Sequence, residues 1–254
     1  MDRVSKIAFA TYIDNQDVIG YPIKFLLEEI PDLKVFCSDH SEADVLKFQG
    51  VKPKDNFYII NQKINSPRDI SSAQNVGVNA CFAHGYDYVV WIQADMYPTK
   101  EAMNIISRVC VPGNENVAYG LTVRHLRLFH VSTINNWGVT IIGKKCNDRF
   151  MYDGAHVGTA GNPAIGGPDS VIDIGYLSIT QYKNHLRQHA KTWNSDNHNY
   201  QLPDEEFVKE IVDYNKKNVG LYDFIKKDSS YYKIVERLNM VEEYETVKQI
   251  MNYN

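Results

Sequence analysis

The chain has 254 residues, 44% of them hydrophobic and 23% charged, with a formal net charge of −4. That composition excludes a disordered chain and leaves an ordinary folded protein able to bury a substantial core. A sequence pI of about 6.1 supplies no global pull toward nucleic acid and argues against tight DNA binding.

In chain order, "KIAFATYI" (6–13) is a short apolar run with β-branched and aromatic content, hence a buried strand. "DVIGYPIKFLLEEI" (17–30) has helical spacing and stops at Pro31. "LKVFCSD" (33–39) predicts a second strand, "ADVLKFQG" (43–50) a short helix ended by glycine, and "NFYIIN" (56–61) a third strand. "SSAQNVGVNACFAHG" (71–85) is a helix with Gly85 as its stop, and "DYVVWIQAD" (87–95) a fourth strand running to Asp95. Thr99 is the expected N-cap of the helix "TKEAMNIISRVC". Strand–helix alternation with unbroken apolar strands predicts a mostly parallel sheet covered on both faces. Ligands of such sheets bind at the carboxyl ends of the strands, where Thr11, Tyr12, Asp39, Asn61 and Asp95 fall.

After residue 115 the pattern changes. "VAYGLTVRHLRLFHV" and "WGVTIIGKK" read as longer, antiparallel strands, with Arg124, His125, Arg127 and His130 as residues of a strand that has one solvated face. Residues 156–169, "HVGTAGNPAIGGPD", read as a loop able to close over a ligand. "VIDIGYLS" is one more strand, and from Thr180 onward the chain is largely helical and rich in tyrosine. The four cysteines show no C-x-x-C pairing, so neither a disulfide framework nor a zinc knuckle is expected. The N-terminus lacks a signal peptide's apolar stretch, and no run of about 18 apolar residues suggests a transmembrane segment. The expected compartment is the cytosol.

The strand ending "ATY", the strand ending "CSD", the helix carrying "AQNVGVNACFAHGYD" and the strand "VVWIQAD" resemble the GT-A fold of family 2 glycosyltransferases. Gln93-Ala94-Asp95 is similar to a variant of that family's Asp-x-Asp metal motif which keeps only the last carboxylate. "IDIGYLSITQYKNHLRQHAKTWNSD" resembles a later family segment, with Asp173 where the family has a metal-binding histidine. The resemblance implies an α/β fold of GT-A type, a mostly parallel central sheet flanked by helices, with a helical C-terminal extension. It implies a glycosyltransferase domain over 1–195, divided into a nucleotide-sugar-binding half (1–115) and an acceptor-side half (116–195), followed by a helical extension over 196–254.

What it implies chemically is transfer of a hexosyl or pentosyl group from a nucleotide-diphosphate sugar by metal-assisted, inverting displacement. Mn²⁺ or Mg²⁺ would be held by Asp95, with Asp173 as candidate second ligand. Thr11, Tyr12, Asp39, Arg68, Gln74 and Gln93 are candidate contacts to the nucleotide. Asp153 is the first candidate for the general base and His156 the second. His185 and His189, four residues apart, share a helix face and could share an ion or a phosphate. The acceptor is open among glycan, lipid-linked, protein and modified-nucleobase groups, and the C-terminal helices could pack on the domain, form a homo-oligomer or dock a partner. Alternatives are a non-catalytic nucleotide-sugar-binding module and a nucleotidyltransferase, although "ATYIDNQDVIG" lacks the glycine-rich phosphate loop the latter needs.

Overall fold

The computed structural model describes residues 5–13, 21–39, 57–60, 70–135, 139–146, 164–193 and 198–253. The chain divides into two compact units, one formed by Met1–Asn15, Ile19–Val123 and Asn135–Ile172, the other by Gln16–Val18, Arg124–Ile134 and Asp173–Asn254.

The first unit is built on a seven-stranded sheet. Its strands are β1 (Ile7–Ile13), β2 (Val35–Asp39), β3 (Phe57–Ile60), β4 (Tyr88–Ile92), β6 (Ala118–Leu121), β9 (Val139–Gly143) and β10 (Ala164–Ile165), in the order β10-β6-β9-β4-β1-β2-β3. The pairs β1–β2, β1–β4, β2–β3 and β10–β6 are parallel, whereas β9 runs antiparallel to β4 and β6. The expected mostly parallel α/β sheet is present.

Both faces of the sheet are covered, which is why its strands read as unbroken apolar runs. Phe9, Val90, Ile92 and Ile141 belong to one buried cluster, and the alternate residues Ala8, Ala10, Val89, Trp91 and Ile142 to the other. Helices α1 (Tyr21–Glu29), α2 (Ile70–Ala83) and α3 (Lys100–Val109) belong to this unit. Helix α2 ends as its sequence predicts: Gly85 takes φ +80°, Gly85 N–H donates to Phe82 and Tyr86 N–H to Cys81. Gly77 lets α2 approach the sheet closely, since a Cβ there would stand 3.3 Å from Ala10 Cβ and 3.4 Å from the Thr11 carbonyl. At the amino end of β4 the buried Asp87 carboxylate accepts from Lys6 N–H at 3.0 Å and pairs with Lys144.

Two local expectations change. Strand β4 stops at Ile92, and Gln93–Asp95 form a turn closed by Met96 N–H donating to the Gln93 carbonyl, before a three-residue strand β5 (Met96–Pro98). Thr99 stands at the N-cap, but its hydroxyl donates to the carbonyls of Asp169 and Ser170 instead of capping the helix. The C-terminal end of the glycine-rich segment is anchored as well: Ala164–Ile165 pair with β6, and Gly167 N–H donates to Glu101. Residues 156–163 and the expected helix over 43–50 lie outside the described residues.

The second unit carries most of β7 (Val123–Arg127), most of β8 (His130–Asn135) and most of β11 (Val171–Tyr176), with β7 neighbouring both β8 and β11. Helices α4 (Ile179–Trp193), α5 (Asp204–Asn218), α6 (Ser230–Arg237) and α7 (Val241–Ile250) complete it. Its tyrosines are largely structural. The Tyr244 hydroxyl donates to the Ile225 carbonyl, and the Tyr244 ring meets Phe129 edge-on at 5.5 Å and Tyr232 at 5.0 Å. Tyr214 and Tyr222 are the exposed ones, at 60% and 57%. Among the described residues no helix is long and apolar enough to cross a membrane.

His130 is not on a solvated face: it is wholly buried. Leu128's carbonyl can only accept, so His130 Nδ1 carries the proton that reaches it at 2.8 Å, and Nε2 accepts from Tyr253, whose hydroxyl also accepts from Lys216. Burial, with Lys216 adding to it, depresses His130 from 6.5 to about 4. Between those values the unfolded chain binds a proton that the folded one refuses, so this contribution to stability is complete above pH 6.5 and is lost as pH falls toward 4. It amounts to on the order of 3 kcal/mol. Denaturant midpoints measured from pH 7 to pH 4 should therefore fall, and His130→Gln should flatten that slope. A second expected outcome concerns packing: a Cβ on Gly143 would lie 2.2 Å from the Glu115 carbonyl oxygen. Gly143→Ala should cost about 2 kcal/mol or more in chemical unfolding, because backbone must move.

Candidate functional site

Parallel pairing sets the carboxyl ends of β1, β2 and β4 along one edge. Tyr12 stands opposite Ser38, Ile13 opposite Asp39, and Ala10 opposite Trp91. The Gln93-Ala94-Asp95 turn leaves β4 at this same edge. The edge thus gathers Tyr12, Asp39, Gln93 and Asp95, all half-buried, at the ends of three adjacent strands. Tyr12 and Trp91 stack with ring centroids 6.3 Å apart and planes 13° from parallel. Trp91 is a core residue, as a tryptophan within an apolar run reads, and it backs the half-buried Tyr12 ring.

Thr11 and Gln74 are placed deeper. Thr11 is wholly buried, and its hydroxyl lies 3.4 Å from the Tyr12 carbonyl. Gln74, on α2, is 2% exposed, and among the described residues its Oε1 has no hydrogen-bond partner. Cys37, next to this edge, has its thiol pushed far above the ordinary range, by burial first and by the Asp39 carboxylate second. It is a core thiol, not a nucleophile. Arg68, Asp153 and His156 lie outside the described residues.

In the second unit, Asp173 sits within β11 at 2% exposure, with both oxygens engaged. Oδ2 contacts His125 Nδ1, and Oδ1 accepts from Gly175 N–H at 2.8 Å. Burial alone would raise the carboxyl, but His125, the Gly175 N–H and Arg127 together bring it below its ordinary value. Arg127 donates to the Tyr182 hydroxyl at 3.2 Å and lies 4.6 Å from the centre of the Tyr176 ring. The Tyr176 hydroxyl shares a 2.7 Å hydrogen bond with His185 Nε2. Burial would lower the Arg127 guanidinium, yet Tyr182, Tyr176 and Asp173 outweigh it and hold it above the usual range.

The solvated face expected for His125 and Arg127 is therefore a buried polar network. The alternation "RHLR" puts His125 and Arg127 on one side of β7, which is legible, but what they meet is set by β11 and α4. The side chain of His189 lies outside the described residues, so the expected histidine pair is represented by His185 alone. Among the described residues no group of three or more His, Cys, Asp and Glu side chains is arranged to hold a metal ion.

No family model and no curated protein matches the chain. Its structure is similar to those of several solved proteins. The S. aureus TarS fragment 1–349, also solved in complex with UDP, shares 11% identity over 96% of this chain and 82% of its own, with a TM-score of 0.43. A mannose-1-phosphate geranyltransferase from Thermus thermophilus shares 12% identity over 54% of this chain, with a TM-score of 0.38; the chain spans 57% of that protein's length. A glycosyltransferase involved in glycosylation of the PBCV-1 major capsid shares 13% identity over 72% of this chain and 99% of its own, with a TM-score of 0.36.

Gln74 offers a stability test of the edge. A buried amide oxygen without a partner costs about 1–3 kcal/mol, and methionine nearly matches glutamine in volume. Gln74→Met should leave the melting temperature unchanged or raise it in differential scanning fluorimetry. A clear fall would mean that the amide is structurally satisfied.

Proposed function

We propose that the chain is a glycosyltransferase that moves a sugar from a nucleotide-diphosphate sugar to an acceptor hydroxyl. The observation that carries this reading is the Gln93-Ala94-Asp95 turn at the carboxyl edge of a parallel sheet, beside Tyr12 on β1 and Asp39 on β2. Ligands of parallel α/β sheets bind at that edge. Here an aromatic ring, two carboxylates and an amide are held on rigid strands and a tight turn.

Tyr12, stacked on Trp91, would face a nucleobase, and Asp39 would accept from a base N–H. Gln74, Gln93 and Arg68 would donate to ribose or phosphate, with Thr11 shaping the floor. Asp95 is a hard oxygen ligand suited to Mg²⁺ or Mn²⁺, and one protein carboxylate suffices when diphosphate oxygens and waters complete the shell. The ion would stabilise the negative charge that collects on the departing diphosphate. Asp153, with His156 second, is proposed to take the acceptor's proton, and displacement would invert the sugar's configuration. Asp173, named from sequence as a second ligand, would have to exchange its His125 contact to reach an ion.

The test is calorimetric titration of nucleotide-sugars with and without Mn²⁺, combined with donor-hydrolysis assays. Asp95→Ala should abolish Mn²⁺-dependent binding and lower turnover about 10²–10³-fold, the range for losing one transition-state charge partner. Gln93→Asp, which adds a second carboxylate two residues away, should tighten Mn²⁺. Metal-dependent binding unchanged in Asp95→Ala would overturn the assignment, and tight binding without turnover would favour a binding module.

A further inference from the structure

Strand β8 and the segment after α5 build a groove in the second unit that the proposed chemistry does not use. It is an open groove of about 720 Å³, lined among the described residues by Arg124, Val131, Thr133, Tyr222 and Asp223. Strand alternation explains the membership. Arg124 on β7, with Val131 and Thr133 on β8, projects from the hairpin face opposite to His125, Arg127 and Ser132.

The groove's walls are held in place. Tyr222 N–H donates to the Val131 carbonyl at 2.7 Å, Val131 N–H to Asp223 at 3.2 Å, and Ile225 N–H to Phe129 at 2.8 Å. The segment carrying Tyr222 and Asp223 is thus an added strand-like edge on β8. Arg124 is steadied by donating to the Ser132 carbonyl at 2.7 Å. Gly220 sets the entry, at φ +71°, where a Cβ would stand 2.7 Å from Thr133 Cγ2.

The chemistry of the lining narrows the ligand. Among the described residues the lining carries one guanidinium and one carboxylate, which cancel, and not the clustered positive charge that a nucleic acid or other polyanion requires. Tyr222 offers a broad ring at 57% exposure, which tyrosine commonly presents where one side of a ligand is apolar and the other wet. Pyranose rings have such sides: C–H faces that stack on an aromatic ring, and rims of hydroxyls that both accept and donate. Asp223 accepts from hydroxyls, Arg124 donates to them, and Thr133 lies beside them. The volume falls within the roughly 300–1,000 Å³ of ligand clefts.

The geometry points to a saccharide-binding subsite in this groove, with Tyr222 as the stacking platform and Asp223 and Arg124 as the hydroxyl readers. The subsite stands on the groove's own lining and is independent of the sugar-transfer reading.

The experiment is saturation-transfer NMR on the full chain with maltotriose, cellotriose, mannotriose and chitotriose, and with glycerol as a polyol lacking a pyranose face. At least one trisaccharide should receive saturation while glycerol does not. Tyr222→Ala should weaken that binding roughly tenfold or more, as truncating an aromatic anchor does. Asp223→Asn should weaken it less, and the exposed Lys233→Ala should bind like the unaltered chain. Binding by none of the four, or equal binding by Tyr222→Ala, overturns the subsite. Donor hydrolysis by the unaltered chain separates the two readings. Hydrolysis without trisaccharide binding removes the groove assignment alone, whereas trisaccharide binding without hydrolysis keeps the saccharide site and counts against the sugar-transfer reading alone.

Discussion

The parallel pairing of β1 with β2 on one side and β4 on the other is the constraint from which the candidate site follows. It brings three carboxyl ends into register, so that Tyr12, Asp39 and the turn after Ile92 share one edge although they are far apart in sequence. Parallel strands require crossovers, and the crossover helix α2 must lie close to the sheet. Gly77 permits that approach within contact distance of Ala10 and the Thr11 carbonyl. A larger residue there would press on the backbone that carries Thr11 and Tyr12.

The β7–β8 hairpin organises the second unit through its two faces. Its turn is made by Leu128 and Phe129, both buried and both in the left-handed region, at φ 44° and 58°. Two such residues match the twist of a two-residue hairpin but cost about 1–2 kcal/mol each. Burial offsets that cost: Phe129 packs edge-on against Tyr244 and Phe224, and Leu128 N–H reaches the Tyr176 carbonyl. One hairpin face supports a buried network of Asp173, His125 and Arg127, and the other lines an open groove. Buried charges persist only when they are paired and hydrogen-bonded, and this network supplies a carboxylate, phenolic hydroxyls and a backbone N–H for that purpose.

The electrostatics of the two units differ accordingly. In the turn after β4, Asp95 follows a neutral Gln93, so the turn itself contributes one negative charge beside the Asp39 carboxylate at the end of β2. Under the proposed sugar-transfer reading, a single carboxylate in the turn would suit a ligand that itself brings diphosphate charge, since a second one there would strengthen a bare cation but repel the anion sharing it. In the second unit, Asp173 is matched by Arg127 and His125, and its charge serves the fold it is buried in.

Much of the sheet was legible because hydrophobic runs and punctuation act locally. The strands β1 to β4, the glycine stop of α2 and the halt of α1 before Pro31 follow from period, side-chain type and backbone freedom. The resemblance drew attention to Asp95 for the same reason, since a motif is contiguous. Other features depended on partners distant in sequence. Thr99 gave its hydroxyl to Asp169 and Ser170, β4 ended three residues before Asp95, and His125, Arg127 and His130 turned inward. An alternating pattern says which residues share a face but not whether that face meets water, because burial depends on what packs against it. From sequence alone came the alternation of elements and the acidic residue beyond the fourth strand. Tertiary structure decided which strands are neighbours, what the histidines and Arg127 meet, and where Tyr222 and Asp223 stand, because those are properties of contacts between segments and not of any segment by itself.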